Sequence, residues 1–258
     1  MKVAVVIPTH FNLKSSLHVL LDAYKYLIRT KKIEVTIFTD QSNNTRYEEF
    51  NIEKISSIDF RTPLEKILFV LGLPRFYYRG LVEKLKGYDV IDSSNPEFYI
   101  FAYQSYLASK KYSSRLVYRT SQTVDGFFLF RILKYIVVPF MRKAYSHANA
   151  LIFTNPEAAE RCERLGLSKS ESKFIITGHG VDTDLYRPMK NRKDSGKIVL
   201  LSVGGLYKIK GHHLIIRALK KIVEKGMNKI ELHIVGNGYY RNYLQQLARK
   251  LGIEDKVK

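Results

Sequence analysis

The stretch Leu200-Leu201-Ser202-Val203-Gly204-Gly205-Leu206-Tyr207-Lys208-Ile209-Lys210-Gly211 holds the residues of this chain best suited to chemistry. An apolar run ends in paired glycines, and a lysine–glycine step precedes a segment with helical periodicity. Glycine lets the backbone come close to a bulky anion, and the opening turn of a helix offers it free N–H groups. Lys210 adds a full positive charge in that turn, with Lys208 beside it. Gly204, Gly205, Lys208 and Lys210 therefore suit a diphosphate, and through it a nucleotide-linked substrate; the same residues also suit an ordinary strand-to-helix turn, with Lys208 as a solvated loop residue. Gly236 and Gly238 follow a second apolar run and fit either another backbone shelf near the nucleotide or a tight turn.

Other chemical residues are sparser. Asp182-Thr183-Asp184 has a spacing with which two carboxylates can hold a metal, but aspartate is also a turn and capping residue, and that reading is preferred here. His212 and His213 face different directions on a helix and make a poor ligand pair, so no metal site is expected. His10 and Asn12 follow the first apolar run, and Ser121 follows a later one. Open α/β sheets bind ligands at such strand ends, so these three are acceptor-side or phosphate-side candidates, or plain loop polarity. The single cysteine, Cys162, excludes an intramolecular disulfide framework and fits a structural thiol in a reducing compartment.

Positioning these groups requires an α/β scaffold. Short apolar runs at Val3–Ile7, Val35–Thr39, Val90–Asp92, Leu116–Tyr118, Ala150–Thr154 and Phe174–Thr177 read as buried strands. Amphipathic segments at Ser15–Arg29, Leu64–Leu85, Glu97–Ser109 and Pro156–Leu165 read as the helices between them. Ser94-Asn95-Pro96-Glu97 and Thr154-Asn155-Pro156-Glu157 each place a polar cap before proline and glutamate, a helix start. The alternation implies a parallel sheet with helices on both faces. The polar stretch 189–196 reads as a linker between a domain at 1–188 and a second pattern at 197–258. In the latter, strands at 197–203 and 230–235 alternate with helices at 211–225 and 239–251. Two strands and two helices make a thin core, so this second domain is expected to be partial.

With that layout, the chain resembles glycosyltransferase family 4, within the GT-B fold of two Rossmann-like parallel-sheet domains. The likeness rests on Gly178-His179-Gly180-Val181-Asp182 through Pro188, on Val203-Gly204-Gly205-Leu206 with Lys210-Gly211, on Leu232 to Leu244, and on Ala148-Asn149-Ala150-Leu151-Ile152. It is carried from Ala148 onward, while the earlier residues match only in strand–helix rhythm. The resemblance implies an N-terminal acceptor domain and a C-terminal nucleotide-sugar donor domain. It further implies a retaining, metal-independent transfer from a UDP- or GDP-linked sugar to a glycan or lipid-linked acceptor, with no cofactor. Lys210 is then the residue that meets the charge growing on the leaving diphosphate, with Gly204, Gly205, Lys208, Gly236 and Gly238 holding the donor. This chain departs from the family at Gly205, where arginine is usual, at Thr9-His10-Phe11-Asn12, where a glycine pair is frequent, and at Arg119-Thr120-Ser121-Gln122, where a histidine is frequent. The family's paired glutamates would lie beyond Lys258.

The net charge of +19 calls for polyanionic partners. Arg75-Phe76-Tyr77-Tyr78-Arg79 and Phe127 to Tyr135 mix cations with aromatic rings. These suit a core helix with a basic outer face, or peripheral contact with an anionic membrane surface from the cytoplasmic side. Phe127–Met141 is broken by Arg131 and Lys134 and does not read as a membrane span. A non-catalytic sugar-nucleotide binder is the alternative suggested by Gly205 and the absent histidine. Nucleic acid is not expected as a partner, since charge alone argues for it.

Overall fold

The computed structural model describes residues 1–8, 17–31, 33–43, 49–58, 77–94, 100–123, 128–167, 174–178, 180–181, 183–184, 186–188 and 196–258. They form two compact units, Met1–Tyr186 and Arg187–Lys258.

The first unit is built on a parallel sheet. Its strands are β1 (Lys2–Val6), β2 (Glu34–Asp40), β3 (Asn51–Ile55), β6 (Val90–Ser94), β7 (Arg115–Thr120), β8 (Ala150–Phe153) and β9 (Phe174–Ile176), with the antiparallel pair β4 (Ser57–Ile58) and β5 (Tyr77–Tyr78) beside it. The order β3-β2-β1-β6-β7-β8-β9 reverses direction at β1, as in a doubly wound sheet. Strand β1 shows why the sheet is covered on both sides. Val3 and Val5 pack with Leu21, Ile33, Val35 and Ile37, whereas Ala4 and Val6 pack with Phe38, Ile91, Phe101 and Tyr118. Alternate residues enter opposite layers, so a continuous apolar run is needed rather than an alternating one.

The helix Pro156–Arg164 starts as the sequence implies: Asn155 Oδ1 accepts from the Ala158 amide at 2.9 Å, with proline in the first turn. The other proposed helix start, at Ser94 to Glu97, falls mostly outside the described residues. The helix expected over Leu64–Leu85 is not continuous. Residues 59–76 lie outside the described part, Tyr77–Tyr78 is extended, and a short helix Leu81–Lys84 begins only after Gly80, at φ +67°. Tyr78 also corrects one piece of the proposed basic aromatic surface. It is fully buried, stacks on Phe101 with ring centroids 5.1 Å apart, and donates from its hydroxyl to the Ile7 carbonyl at 2.7 Å. Cys162 is buried in the same core.

In the second unit, β10 (Ile198–Val203) and β11 (Ile230–Val235) pair in parallel, with Val203 opposite Val235. The helices His212–Glu224 and Arg241–Lys250 bury Ile216, Leu219, Leu244 and Leu247 against Leu232 and Ile230. Both strands therefore end together, and both following loops leave from the same edge.

Candidate functional site

That shared edge carries the glycine loops. The Gly204 amide donates to the Val235 carbonyl at 3.0 Å, the Leu206 amide to the Asn237 carbonyl at 2.9 Å, and the Tyr240 amide to the Leu206 carbonyl at 3.0 Å. The two turns are thus clasped backbone to backbone. The close approach explains the second glycine pair: a Cβ on Gly236 would sit 1.9 Å from the Gly204 carbonyl oxygen, and one on Gly238 would sit 2.5 Å from that of Leu206. Packing alone accounts for glycine at both positions.

Beyond the clasp, Lys208–Lys210 makes a short 3-10 turn that ends on Gly211. Gly211, at φ +73°, closes this turn and also precedes the first residue of the helix His212–Glu224, a left-handed joint that favours glycine. Lys208 and Lys210 are exposed, and no acidic residue occurs from Lys197 to Val223. The Gly204 amide is committed to Val235, whereas that of Gly205 meets no backbone carbonyl among the described residues. The first turn of the helix adds backbone N–H groups and the positive end of its dipole. The arrangement offers two mobile cations and several fixed N–H donors to an anion.

Gly205 has a steric cause of its own. A Cβ there would lie 2.6 Å from the Tyr207 ring, so the tyrosine fills the room that a side chain at 205 would take. Gly205→Arg alone is expected to lower the melting temperature, and Gly205→Arg combined with Tyr207→Ala to recover most of the loss; thermal melts followed by circular dichroism measure both. Tyr207 in turn contacts the exposed Tyr239 at 5.5 Å, and Tyr240 stacks on Tyr243 at 4.5 Å, giving the edge an aromatic flank that the sequence reading did not single out.

His212 and His213 do point apart. His212 Nδ1 lies 3.0 Å from Ser202 Oγ beneath the strand exit, while the His213 ring meets Tyr240 edge-on. The helical period that aligns His212 with Ile216 and Leu219 was a visible signal for its burial.

The remaining candidates are in the first unit. Ser121 lies exposed just past the end of β7; His10, Asn12 and Asp182 fall outside the described residues. One polar cluster there was missed. Asp92, on β6, accepts from Arg119 Nε at 2.8 Å and from the Tyr24 hydroxyl, with the carboxylate side chain only 4% exposed. Burial pushes the Tyr24 hydroxyl well above its ordinary pKa, and the charge of Asp92 adds to the effect, so Tyr24 stays protonated and donates. A serine–histidine contact at Ser109 and His147 has no nucleophilic character: the Ser109 hydroxyl donates to the Ser114 carbonyl at 2.6 Å, at the amino end of β7.

Asp40, at the end of β2, is also fully engaged. It accepts from the Ser42 amide at 2.8 Å, the Ser57 amide at 3.1 Å and the Ser57 hydroxyl. Burial would raise its pKa, but the hydrogen bonds from Ser42 and Ser57 outweigh burial and hold the carboxyl below its usual value. A carboxyl lowered in the folded state adds stability above its unfolded pKa and loses it as the pH falls through the folded value. Asp40→Asn is therefore expected to remove part of the acid-side loss of stability, read from urea melts repeated at descending pH.

Among known proteins, residues 18–185 match Glycosyltransferase Family 4 and residues 187–258 match Glycosyl transferases group 1. An uncharacterised glycosyltransferase of Methanocaldococcus jannaschii is 28% identical over 131 residues, which is 47% of this chain and 32% of that protein. The HepE protein of Anabaena, solved in complex with UDP, superposes with a TM-score of 0.68 at 17% identity, covering 100% of this chain and 68% of its own. WaaG, a glycosyltransferase involved in lipopolysaccharide biosynthesis, does so at 0.67 and 17% identity, covering 99% of this chain and 69% of its own. The chain thus aligns with about a third of the length of the curated relative and about two thirds of these solved structures. The doubly wound first sheet, the clasped turns of the second unit and the family matches to both agree: the chain has the GT-B fold and belongs to glycosyltransferase family 4.

Proposed function

We propose that this chain serves a retaining, metal-independent transfer of a sugar from a UDP- or GDP-linked donor to a glycan or lipid-linked acceptor. In this reading residues 1–188 form the acceptor domain, 189–196 the linker and 197–258 the donor-binding part. The observation that carries it is the clasped pair of glycine turns at the ends of β10 and β11, flanked by Lys208, Lys210 and the start of a helix. Negative charge grows on the departing diphosphate as the sugar bond breaks, and fixed donors aimed at it lower the barrier. Lys210 supplies the charge, with Lys208, the Gly205 amide and the helix N-terminus supporting it; Gly204, Gly236 and Gly238 keep the two turns together.

Calorimetric titration with UDP, GDP and uridine tests this. Lys210→Ala is expected to weaken diphosphate binding by about tenfold or more while leaving uridine unchanged, as befits a lost charge-assisted contact. Equal losses for both ligands would overturn the role of Lys210.

Contact with an anionic membrane surface, from the cytoplasmic side, belongs to the same reading. It is supported by the +19 charge and by Phe140, 53% exposed on the helix Phe128–His147 with the Lys143 ammonium 6.0 Å from its ring centre. No helix among the described residues is long and apolar enough to cross a membrane. Flotation with anionic liposomes should carry the protein upward at low salt and release it at high salt; no binding at low salt would end the membrane proposal.

A further inference from the structure

His212 opens the 13-residue helix His212–Glu224, yet it is only 2% exposed. One edge of its ring is accounted for by Ser202 Oγ, 3.0 Å from Nδ1. The other is not: Nε2 is buried and has no hydrogen-bond partner among the described residues. Buried polar atoms in folded proteins are nearly always paired, because leaving one unmade is costly. The helical period adds to the anomaly. Position 212 lies in line with Ile216 and Leu219, both fully buried, so an aliphatic residue would fill it at no polar cost.

The direction of Nε2 is informative. A Cβ built on Gly204 would meet nothing within 4 Å except this ring edge, with Nε2 at 3.8 Å and Cε1 at 3.9 Å. The unpaired nitrogen therefore faces the first glycine of the turn, with no side chain between them. The same turn carries Lys208, Lys210 and the Gly205 amide, which meets no backbone carbonyl among the described residues, and leads into the first turn of the helix.

We propose that His212 is a phosphate-binding residue of this site. In the tautomer with hydrogen on Nε2, the Ser202 hydroxyl donates to Nδ1 and fixes the ring. Nε2–H then donates to an oxygen of a nucleoside diphosphate seated at the Gly204–Gly205 turn. Nε2 is buried under this turn, so the anion reaches it as the turn shifts outward, a movement glycine backbone permits. The inference rests on the nucleotide-sugar reading above and adds to it a neutral, pre-oriented donor beneath the loop.

The test uses the whole 258-residue chain with UDP, inorganic pyrophosphate and uridine as probes. His212→Asn keeps an amide near Ser202 but ends short of the Nε2 position. It is expected to bind UDP and pyrophosphate about tenfold more weakly than the wild type, the size of one lost hydrogen bond to a charged group. His212→Gln reaches farther with its N–H and should come back to within about threefold. Nitrogen NMR of the unmutated chain gives a reading that survives any folding defect in the variants: the His212 Nε2 resonance should move with UDP and stay put with uridine. If His212→Asn binds UDP as tightly as the wild type, or the resonance is unmoved at saturation, His212 is not a ligand group and the donor reading stands. If the wild type binds none of UDP, GDP and pyrophosphate, both fall together.

Discussion

Gly236→Ala is expected to unfold the Arg187–Lys258 unit or strip it of most of its protection. The new methyl would lie 1.9 Å from the Gly204 carbonyl oxygen and 2.9 Å from its carbon, and both are backbone atoms that cannot rotate away. Relief requires parting the two strand exits, which breaks the Gly204–Val235 hydrogen bond and strains the Leu206–Asn237 one. Overpacking of this kind costs about 3 kcal/mol or more when the neighbour cannot yield. The unit has a small core of two strands and two helices, so that is a large share of its stability. Hydrogen exchange of the β10 and β11 amides should show the loss directly. Unchanged protection at those amides would refute the clasp as a structural necessity.

Arg119→Met should be comparably damaging to the first unit. The guanidinium is the cation that meets Asp92, whose carboxylate is almost wholly buried; without it only the Tyr24 hydroxyl remains of the described partners. Removing one partner of a buried ion pair costs about 3–5 kcal/mol, mostly because the stranded charge has lost both water and counter-charge. Adding Asp92→Leu to Arg119→Met should then recover most of the stability, since the pair is replaced by apolar volume rather than broken. Urea denaturation of the wild type, both single variants and the double variant measures the coupling. A double variant no more stable than Arg119→Met would show that the cluster does more than compensate itself.

Much of the scaffold could be read from the chain because its strands are buried on both faces. Lys2–Val6 is apolar for that one physical reason, whereas Ile198–Val203 is just as apolar in sequence yet leaves Ile198, Leu201 and Val203 more than half exposed. The Asn155-Pro156 start was legible because capping is local. Strand β3, Asn51-Ile52-Glu53-Lys54-Ile55, escaped notice since an edge strand has little to bury and carries charge. The break near Tyr78 was hidden because its cause is distant: the ring belongs to a core assembled from Ile7, Phe101 and Gln104, far off in sequence.

The site divides along the same line. Lysines and glycines at a strand–helix junction announce themselves by spacing, whereas the reason for Gly236 is a carbonyl 32 positions earlier, at Gly204. The Gly205–Tyr207 exchange of volume and the orphaned edge of His212 likewise exist only once the chain is folded. Asp92 and Arg119 looked like an ordinary strand residue and a family mismatch, and only the sheet register brings their side chains together.

The engagement of Asp40 gives the tip of β2 a structural task. A carboxylate at the tip of a second strand is the place where doubly wound folds grip the sugar hydroxyls of a nucleotide, provided its oxygens are free. Here they are already tied to Ser42 and Ser57. The N-terminal sheet spends that carboxylate on tying the residues after β2 to the start of β4, a structural duty in place of a ligand contact.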